Sequence, residues 1–392
     1  MKICAIICEF NPFHNGHKHL IDEVRRTGRF DGILCIMSGH FTQRGDRAIA
    51  DKFTRAAHAV KGGTDCVIEL PAPFAVAPAD VFARGAVKIA SSIPEVCALA
   101  FGCETPKDFF ALAERTAEDG EFRELMGSGL KNGESYAKSY ADALEKTAGT
   151  AADKPNDILA LEYAKAIKKY RPDIEAIAIE RVGGGYNDVT LGGGYASASA
   201  IRAHLCEDGV RQYMPGYVYD DLRAQACPEH GWEAIVKYAL SAGDADGLGG
   251  VFGGSEGLGN RLKKLRRLSC GEMTARATCR RYPSSRIRRL LTANALQLNA
   301  AKTLELLESA GYIKPLAVRA DRADDMLRAL ALSPFATVIT GSDAQKLCGA
   351  DRELYEATAF ADDVWCAAAG RDVYDCTIVK LPADIDKSDG IC

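Results

Sequence analysis

Ile3-Cys-Ala-Ile-Ile-Cys8 runs straight into Glu9-Phe-Asn-Pro-Phe-His14-Asn15-Gly16-His17, and Lys18-His-Leu-Ile-Asp-Glu-Val-Arg-Arg26 follows. Six apolar residues with no polar member fit a strand buried on both faces, and the mixed stretch after them fits an amphipathic helix. The HNGH tetrapeptide therefore sits on a strand–loop–helix junction. Outward from it the alternation repeats: apolar runs at 32–37, 66–70 and 96–101, with amphipathic stretches at 52–61 and 80–91. That order predicts a parallel sheet covered by helices, with ligands in the loops after the strand C-terminal ends. Helical pattern dominates 108–170, a strand is expected at 176–180, and the glycine-rich 183–194 is expected to be a mobile loop. A helix start follows, with Ser197 or Ser199 as N-cap.

Each part of HNGH has a use at such a junction. Gly16 lets a polyphosphate approach the backbone, the helix start offers free N–H groups and a positive dipole end, and His14 and His17 supply donors for charge growing in a transition state. The plain reading, in which such histidines are helix caps or surface residues, stands beside it. No GxxxxGK[ST] occurs and no GxGxxG follows a strand, so P-loop phosphoryl transfer and dinucleotide binding lose support, leaving attack on an α-phosphate with pyrophosphate departing.

The 392 residues suffice for two or three domains. We expect an N-terminal unit over 1–205, a mainly helical basic region over 206–310 and a small α/β element over 311–392. Fourteen cysteines contain no CxxC pair, which argues for buried free thiols and against a protein metal site. No apolar stretch has membrane-spanning length and the N-terminus lacks signal-peptide form, so a reducing cytoplasm is expected. Nothing in the sequence fixes an oligomeric state.

The net charge of −4 hides a local asymmetry. Between Arg261 and Arg289 eleven cations face the single acid Glu272, giving +10 there and −14 elsewhere. A solvated helix face would interleave acids for i,i+4 pairing, so the segment reads as an RNA-phosphate surface, with Tyr282 placed to stack on a base. Its expected contacts are Lys263, Lys264, Arg266, Arg267, Arg280, Arg281, Tyr282, Arg286, Arg288 and Arg289. Lys52 and Arg55 on the helix after the second strand suit either a phosphate or acid contact or a solvated face.

The stretches ICEFNPFHNGHKHL, MSGHFTQRGDRAIADKFTRAAHAVKGGTDCVIELP, FGCE, KPNDILALEY, IERVGGGYND, SASAIR, EGLGNRLKKL and RRYPSSRIRRLL, in this order and spacing, resemble the tRNA(Met) cytidine acetate ligase family of the HxGH nucleotidyltransferase superfamily. The resemblance covers most of the first 300 residues. It implies a Rossmann-like nucleotidyltransferase domain that forms acetyl-adenylate from acetate and ATP, with Mg²⁺, and acetylates the wobble cytidine of elongator tRNA(Met). It further implies that ATP is held by Ile7, Cys8, Glu9, Phe10, Asn11, Pro12, Phe13, His14, Asn15, Gly16, His17, Lys18, His19 and Leu20, with Gly102, Asn156 and Arg181. To these we add Ser197, Ser199 and Arg202, since a serine-capped helix start beside a guanidinium suits a triphosphate. His40 and Asn187 depart from the family pattern, which has asparagine and histidine there. A small-molecule adenylyltransferase leaves the basic segment without a task, a class I aminoacyl-tRNA synthetase lacks its KMSKS-like sequence here, and an RNA-binding protein with a decayed site would not need intact His14, Gly16, His17 and Arg202.

Overall fold

The computed structural model describes residues 1–118, 120–134, 136–149, 154–181, 194–224, 229–255, 257–372 and 378–382. The loop expected at 183–194, Gly194 apart, and Asn187 within it lie outside them.

The chain begins as read: β1 (Ile3–Cys8), α1 (Asn15–Arg26), β2 (Gly32–Ser38), α2 (Lys52–Lys61), β3 (Cys66–Leu70), α3 (Ala72–Ala75), α4 (Ala79–Ser92) and β4 (Val96–Cys103). Four helices follow, α5 (Phe109–Glu118), α6 (Gly120–Lys131), α7 (Tyr136–Ala148) and α8 (Pro155–Tyr170), and then β5 (Glu175–Glu180) and α9 (Ala198–Ala203). The helical part comprises α10 (Gly216–Ala224), α11 (Glu229–Ala242), α12 (Ala245–Gly249), α13 (Leu258–Leu265), α14 (Cys270–Ala277), α15 (Ser284–Ala295) and α16 (Ala300–Ser309). The last described elements are β6 (Tyr312–Ile313), β7 (Pro315–Arg319), α17 (Ala323–Ala331), β8 (Ala336–Thr337), α18 (Gly341–Lys346), α19 (Gly349–Ala369) and β9 (Val379–Leu381).

Local chemistry sets the helix starts. Asp51 accepts the Thr54 N–H, Ser197 rather than Ser199 accepts that of Ala200, and Ser269 with Glu272 closes a capping box. Strands β1, β2 and β3 are buried along their whole length, Glu69 of β3 included, as strands covered on both faces are.

The main sheet has the order β5-β4-β1-β2-β3-β7-β9. Strands β1 to β5 run parallel, with Ile3 to Cys8 of β1 opposite Gly32 to Met37 of β2. The chain builds outward from β1 toward β3, then returns to place β4 on the other side. That reversal puts a crevice beyond the C-terminal ends of β1 and β4, where open α/β sheets take their ligands. Strands of the C-terminal element join this same sheet: β7 pairs antiparallel with β3, and β9 pairs with β7, while β8 pairs with β6 in a separate two-stranded sheet. One core contains Ile7, Phe82, Phe101 and Tyr163, and a second, on the opposite sheet face, contains Cys8, Phe10, Phe13 and Ile201. A third, helical core gathers Leu258, Leu262, Leu290 and Trp365. Leu265 and Leu268 are only partly buried against it.

Candidate active site

A cleft opens at the topological reversal. It is lined by Ile7, Cys8, Glu9, Phe10, Asn11, His14, Gly16, His17, His19 and Leu20 from the β1–α1 junction, by Phe101 and Gly102 at the end of β4, and by Asn156, Leu159 and Tyr163 of α8. Glu180, Arg181, Tyr195, Ser197, Ser199 and Arg202 close another wall. Residues separated by almost two hundred positions thus converge, as the strand-end rule requires. Pro12, Phe13, Asn15 and Lys18 do not line it. Phe13 is buried edge-on against Phe10, the Asn15 amide donates to the Gln212 carbonyl at 2.8 Å, and Lys18 pairs with Asp22 at 3.1 Å.

His14 is both cap and cleft residue, so the two readings of HNGH coincide. Its Nδ1 accepts the Gly16 N–H at 3.0 Å, which leaves Nε2 to carry the proton. The His17 ring stacks on it at 3.7 Å between centroids, and His17 Nδ1 is buried with no hydrogen-bond partner among the described residues. Burial, with Arg181 and Arg202 nearby, lowers the His14 pKa to about 3, and burial, His14 and Arg181 hold His17 well below its ordinary value. Both rings are neutral at pH 7 until an anion arrives. An unpaired nitrogen in a cleft, beside the Arg181 guanidinium, is an arrangement that a polyanion completes.

Three supports position the remaining groups. Glu104 accepts the Asn156 side-chain amide at 2.6 Å and the backbone N–H of Asn156 at 3.1 Å, so Asn156 keeps its carbonyl oxygen free of that pairing. A Cβ on Gly102 would come 3.1 Å from Arg181 Cγ, so glycine lets that arginine cross the strand end. Arg202 donates to the Asn11 carbonyl at 2.5 Å and reaches the Ser199 hydroxyl at 3.4 Å. Cys8 lines the cleft, but burial pushes its thiol well above the ordinary value, which rules it out as a thiolate nucleophile at neutral pH.

The sequence reading missed a further wall. Thr42, Gln43, Arg44 and Asp46, in the loop after β2, also line the cleft, as do Phe82 and Ile179. The signal was available, since this loop follows a strand C-terminal end and lies within the quoted stretch GHFTQRGDRAIADK.

Lys52 and Arg55 take neither expected role. Arg55 is fully buried and donates to the carbonyls of Glu9, Ser38, Gly39 and Ala50, tying the two strand ends together. Lys52 is 1% exposed and lies 2.5 Å from both Glu69 and Asp362. His40 belongs to this buried ionic group and not to the cleft: its Nδ1 lies 2.7 Å from Asp362 and its ring stacks on Trp365 at 4.5 Å.

The basic segment divides. Lys264, Arg266, Arg267, Arg280 and Arg281 are exposed. Arg280 pairs with Glu134. Lys263 bonds the Gly243 carbonyl, Arg286 the Gly253 carbonyl at 3.1 Å, Arg289 the Gln43 carbonyl at 3.1 Å, and Arg288 pairs with Asp46 at 3.1 Å. These four are half-buried and tie helices and loops to one another. Tyr282 is buried at 8% exposure with the Arg286 guanidinium 5.2 Å above its ring, so it offers no open face to a base.

The HIGH Nucleotidyl Transferase family matches residues 1–374. The tRNA(Met) cytidine acetate ligase of Thermoanaerobacter sp. (strain X514) is 32% identical over 388 residues, spanning 94% of this chain and 96% of that protein. The chain belongs to the tRNA(Met) cytidine acetate ligase family. Crystal structures agree with the assignment. Apo Thermotoga maritima TmcAL superposes with a TM-score of 0.89 at 25% identity, covering 97% of this chain and all of that one. The form of that protein bound with alpha-thio ATP gives 0.87 at 24% identity, with the same coverage. For a cytidine acetate ligase the cleft has a suitable inventory: cations for a leaving polyphosphate, neutral donors, and among its lining no thiol poised to act as nucleophile. Among the described residues no group of three or more His, Cys, Asp or Glu is placed to hold a metal ion, and no helix is long and apolar enough to cross a membrane.

Proposed function

We propose that this chain activates acetate with ATP and transfers the acetyl group to N4 of the wobble cytidine of elongator tRNA(Met), in the cytoplasm. The observation that carries the reading is the stacked neutral pair His14–His17, with Arg181 and Arg202 beside it, at the crevice beyond β1 and β4. Acetate oxygen attacks the α-phosphorus, the bond to pyrophosphate breaks, and acetyl-adenylate forms. The cytosine amine then attacks the acetyl carbonyl, AMP leaves with the bonding electrons, and the amine proton passes to solvent. Acetate is an unreactive acyl donor and the amine a weak nucleophile, so the mixed anhydride supplies the leaving group and no protein nucleophile is needed.

In this reading the segment from Ile7 to Leu20, with Gly102, Asn156, Arg181, Ser197, Ser199 and Arg202, holds the nucleotide, and His14 and His17 meet the charge that develops on the phosphates. Those of the segment that turn away from the cleft, such as Phe13 and Asn15, hold its shape. Magnesium would ride chiefly on the triphosphate and water, as it commonly does. Of the carboxylates at the cleft, Asp46 is already shared by two arginines and Glu9 accepts the Gln43 N–H at 2.6 Å. The tRNA lies along the region 206–310, on Lys264, Arg266, Arg267, Arg280 and Arg281, while Lys263, Arg286, Arg288 and Arg289 shape that surface from within.

Two assays test this. Labelled pyrophosphate should exchange into ATP only when acetate is present, and label from acetate should appear in an elongator tRNA(Met) transcript. His17→Ala should lower both by about a hundredfold or more, since losing one such donor costs about 3 kcal/mol of barrier stabilisation. Neutralising Lys264, Arg266, Arg267 and Arg281 together should leave exchange intact, raise KM for tRNA and flatten its salt dependence. Exchange supported by a nucleotide-like or phosphorylated acceptor in place of acetate would favour a small-molecule adenylyltransferase instead.

A further inference from the structure

Asp46 stands between two arginines that the sequence assigned to different ligands. Its Oδ2 accepts a hydrogen bond from Nη2 of Arg202 on the cleft wall at 3.3 Å, and its Oδ1 lies 3.1 Å from Nε of Arg288 on α15, an ion pair without hydrogen-bond alignment. The loop that carries it is held from both sides. Toward the cleft, the Gln43 N–H donates to Glu9 at 2.6 Å. Within the loop, the Thr42 N–H reaches the Asp46 carbonyl at 3.0 Å and the Gly45 N–H reaches the Thr42 carbonyl at 2.9 Å. Toward α15, the Thr292 hydroxyl donates to the Gly45 carbonyl at 2.7 Å and Arg289 to the Gln43 carbonyl at 3.1 Å. Gly45 has φ +76°, and a Cβ there would meet the Arg289 nitrogen at 2.3 Å, so loop and helix touch backbone to backbone.

An arginine side chain has many rotamers, and a ligand that must immobilise it loses affinity to that ordering. Arg202 has been ordered in advance. We propose that Asp46 is a positioning residue: buttressed by Arg288, its carboxylate aims the Arg202 guanidinium at the triphosphate. The inference rests on the reading that the cleft holds ATP. It also explains why Arg288, near the end of the basic segment, is turned away from an RNA surface. Two guanidiniums around one carboxylate leave a net positive charge at the wall, so the anion is still attracted while the pointing is retained.

Charge and geometry make opposite forecasts for Asp46→Asn, which makes the test sharp. Removing a negative charge from the wall should tighten ATP binding if only charge matters. Losing the aim of Arg202 should weaken it. We expect KM for ATP in acetate-dependent exchange to rise about fivefold with kcat nearly unchanged, less than a buried charge-assisted hydrogen bond would give because the pair is a quarter exposed. Arg288→Gln should raise it in the same direction, Arg288→Lys should restore most of the loss, and Asp46→Asn with Arg288→Gln should be no worse than Asp46→Asn alone. Should Asp46→Asn fail to fold, the two Arg288 variants decide the matter by the same readout. ATP bound as tightly as in the wild type, or tighter, by Asp46→Asn overturns the proposal. Equal KM for the Gln and Lys variants at 288 also overturns it. Acetate-dependent exchange in the wild type and its fall in His17→Ala judge the nucleotide reading separately, so the two ideas fail by different results.

Discussion

Acid should unfold this protein partly through His14. In the folded chain its pKa lies at about 3, against 6.5 for a free imidazole, so the unfolded chain takes up the proton first as pH falls. The stability contributed by the neutral ring is complete above pH 6.5 and is lost progressively as pH drops through the window down to about 3. At pH 5 the unfolded imidazole favours its proton by about 1.5 units while the folded ring stays neutral, which amounts to about 2 kcal/mol. His14→Asn removes the titration and keeps a side-chain oxygen able to accept the Gly16 N–H, so the helix start survives. Equilibrium urea unfolding of both proteins at pH 7.5 and pH 5 gives the comparison. The wild type should lose about 2 kcal/mol more than the variant over that interval. A bound triphosphate analogue should shrink the difference, because its charge favours the imidazolium. Parallel stability curves for the two proteins between those pH values would show that His14 is not held neutral by the fold.

Two further perturbations follow from the packing. Lys52→Met leaves Glu69 and Asp362 facing each other without their shared cation, and should cost about 3–5 kcal/mol in thermal or urea unfolding. A loss under about 1 kcal/mol would mean that Lys314, 3.6 Å from Glu69, takes over the pairing. Gly45→Ala should cost about 2–4 kcal/mol, through the left-handed backbone and the contact with α15, and should weaken ATP binding as the loop shifts. An alanine variant with unchanged melting and unchanged KM for ATP would show that the loop does not lean on that helix.

Much of the fold was legible because its signals are local. An all-apolar strand, the two histidines around a glycine and a serine-started helix each span a few residues, and β1, α2 and β3 fall where periodicity puts them. The cleft was legible for the same reason, since strand ends in a parallel sheet collect their loops on one edge. The charge clusters were not. Eleven cations in 29 residues announce a basic segment, but whether each meets water, a backbone carbonyl or a carboxylate depends on partners far along the chain. Arg288 finds Asp46 and Arg289 finds Gln43, more than 240 positions away. Likewise Lys52 and His40 look like site residues beside the second strand until Asp362, on α19, reaches them. Chain-neighbour patterns were enough for the parallel α/β core, the His14–His17 junction and the family. The loop at 42–46 as a wall of the cleft, the burial of Tyr282, and the entry of β7 and β9 into the main sheet needed the folded chain to show them. Long-range pairing is settled by which partner compensates a buried charge or strand edge, and no local pattern encodes that choice.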